Sequence, residues 1–350
     1  MFFISRRLHA QGLLLIYLVF TVSDRSRRRL GAITMHLRLA LRLCLVALLY
    51  LIAQISAAAA QVGSSAPVSN SSYNFGDVLT LSALGGQVPS FTPLSIWNFT
   101  DGWLEPWIPP PNGELHLQRG GWVNTDSGFF SRELDPAFSF NAGTDRTRDE
   151  YIGAVTLFVP LNRRLQIGVT MPFIDSLQRG NGLPTENSFG DVIVAPQLML
   201  DETETRSISA LVAIRTPTGQ TSTGNGKTIV TPTLAVWQDL PAAWQLRGGM
   251  GIDIATHTGE GPHEVLNFNL AAGNTLTSHE TLPFGDLTPY LSANLNQDLG
   301  GGKNFTDFSL TPGIRFFLGW HTYFITGVIV PVTNPKPFEP GLTAVVSRGW

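Results

Sequence analysis

The stretch Trp244-Gln245-Leu246-Arg247-Gly248-Gly249-Met250-Gly251-Ile252-Asp253-Ile254 decides the fold. Along an extended chain Trp244, Leu246, Gly248, Met250, Ile252 and Ile254 share one face, and Gln245, Arg247, Gly249, Gly251 and Asp253 share the other. Successive side chains of a strand point to opposite sides, so strict alternation marks a strand whose two faces meet different surroundings. The pattern recurs downstream. Leu266, Phe268, Leu270 and Ala272 oppose Asn267, Asn269, Ala271 and Gly273. Leu287, Pro289, Leu291, Ala293 and Leu295 oppose Thr288, Tyr290, Ser292, Asn294 and Asn296, and Leu310, Pro312, Ile314, Phe316 and Leu318 oppose Thr311, Gly313, Arg315 and Phe317. Twelve strands are expected near residues 131–141, 150–159, 165–174, 190–200, 207–216, 229–239, 244–255, 264–274, 286–297, 305–318, 321–332 and 339–350. Short connections at Asn162-Arg163-Arg164, Asp201–Arg206, Pro241–Ala243 and Gly319-Trp320 interleave with longer polar ones at Asp175–Phe189, Pro217–Thr228, Thr256–His263 and Leu299–Asn304. Only the connection Thr275–Gly285 breaks that rule by its length.

Alternation alone fits a soluble barrel with the apolar face inside as well as a membrane barrel with it outside; charge decides between them. Of 350 residues only 14% are charged, whereas a soluble surface calls for roughly 25–35%. No stretch after residue 60 approaches the roughly 20 apolar residues of a spanning helix, and a backbone in lipid must satisfy its own hydrogen bonds, which leaves a closed barrel. The expected fold class is all-β: an antiparallel up-and-down transmembrane barrel of about twelve strands behind an irregular N-terminal periplasmic segment. Fourteen strands stay open, because Glu114–Trp122 could pair with a neighbour.

The N-terminus reads as export machinery. His36, Arg38 and Arg42 precede an apolar run, Leu43–Ile55, that ends in Ser56 and four alanines, a signal peptide with cleavage after Ala60. Residues 1–34 form an extension upstream of a better initiator, Met35. Residues 35–60 are then the signal, 61–130 a Trp- and Pro-rich periplasmic or plug segment, and 131–350 the barrel. Removing residues 1–60 takes away eight arginines and one acid, leaving 15 basic and 25 acidic residues and a net charge of -10. That balance excludes nucleic acid as a partner. The one cysteine, Cys44, leaves with the signal, so neither disulfides nor thiol chemistry are expected. In the segment 61–130, Trp97, Trp103, Trp107, Trp122 and Pro109-Pro110-Pro111 predict extended, unpaired chain that packs on the barrel rim or enters the lumen.

The candidate functional positions follow from the inward face. Glu133, Asp135, Arg215, Arg247, Asp253 and Arg315 are the charged lumen-facing candidates. Arg247 and Arg315 fall toward the periplasmic end, where they either form an anion-preferring constriction or pair with acids and fill a narrow lumen. The second is favoured, since twelve strands enclose far less than the 16 to 18 strands of an aqueous porin. At the C-terminus Leu342, Ala344, Val346 and Trp350 share a face and read as a barrel assembly signal, with Arg348 departing from the apolar pattern. An enzymatic reading would rest on His257, His263, Glu260 and Glu264 near Asp253, and a metal reading on His257, Glu260 and His263. Both sets are loose, so no catalytic, metal or cofactor residues are expected.

Three short runs carry a family resemblance: Pro160-Leu161-Asn162-Arg163-Arg164-Leu165-Gln166-Ile167-Gly168, Phe189-Gly190-Asp191, and Arg215-Thr216-Pro217-Thr218-Gly219. With Thr311-Pro312-Gly313-Ile314-Arg315-Phe316 and Val330-Pro331-Val332, they resemble the outer-membrane family named Putative MetA-pathway of phenol degradation over most of residues 131–350. Its members are mostly regarded as outer-membrane transporters. The resemblance implies passage of a small aromatic or hydrophobic compound and brings no catalytic residues. The expected location is the outer membrane of a Gram-negative bacterium, with its lipid, the barrel assembly machinery and a small-molecule solute as partners. The alternative is a closed barrel with a structural or adhesive role.

Overall fold

In the computed structural model the described residues are 73–86, 90–111, 119–144, 148–179, 185–220, 226–256, 264–299, 306–334 and 336–350. The leader and signal regions therefore lie outside them. Thirteen strands follow one another: β1 (Glu133–Thr144), β2 (Arg148–Pro160), β3 (Leu165–Arg179), β4 (Glu186–Ser188), β5 (Ile193–Glu202), β6 (Arg206–Arg215), β7 (Ile229–Leu240), β8 (Trp244–Ala255), β9 (Glu264–Asn274), β10 (Gly285–Asp298), β11 (Thr306–Gly319), β12 (Thr322–Pro331) and β13 (Gly341–Gly349).

Each long strand pairs antiparallel with the next, and β1 pairs with β13, so twelve strands close a ring. β4 pairs only with β3, outside that ring. Closure leaves none of the twelve ring strands at an edge, the condition lipid imposes. The faces are assigned by exposure. Leu234, Met250, Ile252, Phe268, Leu270 and Leu291 are exposed, while Gln245, Arg247, Thr288, Ser292 and Thr311 on the opposite face are buried. Aliphatic residues thus look outward and polar ones inward, as a membrane barrel requires.

Local departures from alternation have local causes. A bulge opposite Gly153 and Ala154 lets β3 run on to Arg179, inside the stretch Asp175–Phe189 expected to be loop. A second bulge between Met199 and Asp201 turns Glu202 inward, opposite Ser207. The β11–β12 turn, Trp320-His321, has positive φ at both residues (52° and 55°), the type I′ geometry, without the glycine or asparagine that would announce it.

Connections Leu161–Arg164, Thr203–Thr205, Pro241–Ala243, Thr275–Phe284 and Trp320-His321 share one end of the barrel, called here the short-turn end. The chain before β1 covers it. It begins with a helix, α1 (Phe75–Leu84), capped by the Asn74 side chain, which accepts from the Asp77 amide, and stopped at Gly85 with φ 84°. The Trp350 indole donates to Ala83 O at 2.9 Å, and the Trp107 amide donates to the Ser82 hydroxyl at 2.8 Å. Arg164, in the β2–β3 turn, is fully buried. It donates to five carbonyls: Asp101, Met199, Leu200, Ser95 and Asn98, at 2.7 to 3.1 Å. A guanidinium has five N–H donors, so this one is saturated by backbone and ties the covering segment to the barrel.

Candidate functional site

The lumen has two halves of different construction. At the short-turn end it is filled by the chain itself. Residues Arg119–Ser131 enter from the rim, and their tip, Asn124–Asp126, meets side chains midway along β9, β10 and β11. They then return to begin β1. At the mouth Arg119 pairs with Glu202 at 2.9 Å and lies over the Trp237 ring, 4.4 Å from its centroid. Gly120 O accepts from Arg247 and, at 3.1 Å, from Arg315. The Arg247 guanidinium sits 3.9 Å from the centroid of Trp122, and Trp122 stacks on Tyr290 at 4.9 Å with an interplanar angle of 1°. Tyr290 accepts from the Val123 amide at 3.0 Å and donates to Thr326 O at 3.1 Å.

The tip is held by neutral side chains. The Asn124 amide group donates to Thr311 at 3.1 Å, and Asn124 O accepts from Ser292 at 2.8 Å. Asn269 grips Asp126 twice: its oxygen accepts from the Asp126 amide at 3.1 Å, and its nitrogen donates to the carboxylate at 2.6 Å. Burial pushes the Asp126 carboxyl above its usual range, and the Asn269 contact draws it part of the way back. On the return, Ser127 O accepts from Gln197 at 2.9 Å, and Ser131 N donates to Gln166 at 2.8 Å. Gly273 makes room for this plug: a Cβ there would stand 2.7 Å from the Trp122 ring.

The other half is lined by side chains of short polar residues. Thr231 donates to Asp253 at 2.6 Å, Ser139 meets Thr343 at 2.9 Å, and Asn141 donates to Glu150 at 2.9 Å. Asn267, Asn294 and Asn296 also lie on this inward face, neither buried nor fully exposed.

The six charged candidates divide between the halves. Glu133, Asp135, Arg247 and Arg315 all lie in the half of their strands toward the short-turn end. They do not form the direct arginine–acid pairs anticipated. The arginines bond Gly120 O and, from Arg247, the Gln245 oxygen at 3.1 Å, while Glu133 accepts from Ser131 at 2.7 Å and Ser347 at 3.0 Å. The plug carbonyl replaces the acid as the arginines' common acceptor, and hydroxyls satisfy the carboxylate. Arg215 and Asp253 remain apart, toward the long-loop end. Leu342 and Val346 are exposed on the outer face and Ala344 is half-buried, while Trp350 lies just beyond β13. His257, Glu260 and His263 fall outside the described residues, and among the described residues no group of His, Cys, Asp and Glu could hold a metal ion.

The plug residues Arg119, Gly120, Asn124 and Asp126, with Tyr290 and Trp237 on the wall, were not singled out from sequence. Their available signal was the set of inward glycines, Gly249, Gly273, Gly313 and Gly327, which leaves space that something must occupy. Of the stretch Glu114–Trp122 that could have added a pair of strands, residues 114–118 lie outside the described residues; Trp122 is in the lumen, and the ring among the described residues has twelve strands.

The family model described as Putative MetA-pathway of phenol degradation matches residues 122–277, from the plug through β9. The Thr311–Phe316 and Val330–Val332 runs lie beyond that match. Among solved structures, an outer membrane channel from Pseudomonas putida F1 superposes with a TM-score of 0.52 at 12% identity, over 66% of this chain and 100% of that one. That likeness is one of fold. The KdgM porin (TM-score 0.42, 8% identity) covers 62% of this chain and 99% of its own, and the NanC porin (0.45, 7%) covers 61% and 97%. No curated protein sequence matches this chain.

Proposed function

We propose that this chain, whose residues 122–277 match the family model described as Putative MetA-pathway of phenol degradation, is a gated outer-membrane channel for small solutes. One observation carries the reading. A closed twelve-strand barrel has its short-turn half occupied by the segment Arg119–Ser131, which is held to the wall largely by hydrogen bonds and ring contacts. Such contacts exchange with water at modest net cost, each worth roughly 0.5–1.5 kcal/mol, so a plug of this kind can leave without unfolding the wall. The outer membrane channel that shares the fold supports a transport role.

The solute is small and aromatic or hydrophobic, by the family resemblance. Covalent catalysis has no part in this reading. The short-turn end, where the chain before β1 packs, faces the periplasm, and the exported chain resides in the outer membrane of a Gram-negative cell. Leu342, Ala344, Val346 and Trp350 present the terminal strand to the assembly machinery, and the exposed aliphatic belt meets lipid. The alternative, a closed barrel with a structural or adhesive role, draws on the complete burial of Trp237, Arg247 and Arg315 behind the plug.

Planar-bilayer recording of the exported protein purified from membranes tests the proposal, with heat-modifiable gel mobility first establishing that the barrel is folded. Discrete current steps that saturate with an added aromatic solute are expected. A folded barrel that stays silent, including after the plug contacts are cut by mutation, would favour the structural role.

A further inference from the structure

Two Asn-x-Asn triplets, Asn267-Phe268-Asn269 on β9 and Asn294-Leu295-Asn296 on β10, lie side by side. The register pairs Asn269 with Asn294 and Asn267 with Asn296. Period-two alternation places all four amides on the lumen face, with Phe268 and Leu295 pointing outward. Neighbouring strands lie about 4.8 Å apart and alternate residues about 6.7 Å apart, so the amides form a two-by-two grid. On β11 its rows continue to Ser309 and Asp307.

Asparagine is disfavoured in strands, so four together call for a reason. The inner row has a structural one: Asn269 grips Asp126, and Asn294 donates to Ser292 at 3.0 Å. The outer row has none of that kind. Among the described residues, the side chains of Asn267 and Asn296 make no hydrogen bond, and they stand one step closer to the long-loop mouth. Each carboxamide offers an acceptor and two donors. Their flanks are acidic, with Asp307 beside Asn296 in the register and Asp253 two residues beyond Gly251, the partner of Asn267. An anion is disfavoured there. A hydroxyl group, which both donates and accepts, matches the pair.

We propose that Asn267 and Asn296 form an entry subsite that binds an uncharged solute through its hydroxyl groups. The assignment deepens the channel reading and rests on it. The two amides are close enough to grip a pair of adjacent hydroxyls, one on each strand. Asp307, which accepts from Thr333 at 3.3 Å, keeps a second oxygen for a further hydroxyl donor.

Isothermal titration of the full-chain protein in detergent micelles with benzene-1,2-diol, benzene and benzoate tests this. The expected result is saturable binding of the diol, weaker binding of benzene and least of benzoate. In the N267A/N296A variant, diol affinity should fall by about tenfold, the loss of one to two net hydrogen bonds. Both positions face a solvated lumen, so the variant should retain heat-modifiable mobility, and N267S/N296S, which restores hydroxyl partners, should recover part of the affinity. No diol binding, diol binding indifferent to both variants, or preferential binding of benzoate would each overturn the assignment. Bilayer conductance separates the two readings. A conducting barrel that ignores the diol defeats the subsite alone, and a silent barrel that binds the diol through these asparagines defeats the channel alone.

Discussion

The two halves of the lumen are built on the same strands with the same alternation, yet one is packed like a protein core and the other is lined like a solvated pocket. In the short-turn half Arg247, Arg315, Trp237 and Gln245 are essentially without exposure. In the long-loop half Asp253, Asn267, Asn296 and Thr343 remain partly exposed. An inward-facing charge therefore means different things along one strand: on β8, Arg247 anchors a plug, while Asp253, six residues on, lines a mouth. The largest expected effect breaks that contrast. Arg247→Ala removes one donor to Gly120 O and the cation stacked on Trp122, and opens a void. The docked plug should lose about 3 kcal/mol, roughly two orders of magnitude in its docked-to-released ratio. Single-channel recording should show far more frequent opening, whereas Asp253→Asn should leave opening frequency at the wild-type level. Equal behaviour of the two variants would mean the halves do not differ as their packing says.

How much of this was written in the sequence varies with the range of the contact. The strand Trp244–Ala255 is legible because alternation is local and because small polar residues never interrupt it. β3 past Phe173 and the inward turn of Glu202 are not, since a bulge shifts the period without a distinctive residue. The plug is harder still. Segment Arg119–Ser131 has no periodicity of its own, and its partners lie far along the chain: Gly120 meets Arg247 and Arg315, and Val123 meets Tyr290. Tryptophan and proline content pointed to extended chain in this segment, but the helix Phe75–Leu84, capped by Asn74, interrupts it; Trp107 lies beside that helix and Trp122 inside the lumen. The choice of Gly120 and Asp126 as contact points depends on which wall glycines they face. Only the closed ring fixes that.

A smaller effect sharpens the contrast from the wall side. Gly273 lies on the inward face of β9, where an added methyl would crowd Trp122 at 2.7 Å and the Tyr290 Cβ at 3.0 Å. Both partners are bulky rings in a tight stack, and neither can yield without disturbing the other. Gly273→Ala should cost about 1–3 kcal/mol of plug docking and raise the frequency of conducting events by about tenfold. Circular dichroism in the aromatic region should lose intensity as the Trp122–Tyr290 stack opens. An unaltered aromatic spectrum with unaltered conductance would mean that the stack does not hold the plug.

The smallest expected effect lies at the boundary between the halves, where the plug tip places a carboxyl against Asn269. Burial raises the Asp126 carboxyl in the docked plug, and release returns it to water and to its ordinary value near 3.8. The docked state therefore binds the proton more tightly than the released one, so protonation favours docking. That advantage is complete below the ordinary value and fades as pH rises through the raised one, leaving a charged carboxylate that docking must desolvate at neutral pH. Opening should thus be less frequent in acid than at neutral pH. Asp126→Asn removes the titrating group but keeps an oxygen for the Asn269 nitrogen at 2.6 Å. It should abolish this part of the pH response and hold opening near its acidic level throughout. The readout is opening frequency as a function of pH for both proteins. A response that survives intact in the variant would assign it to groups elsewhere and would remove the tip from any role in sensing pH.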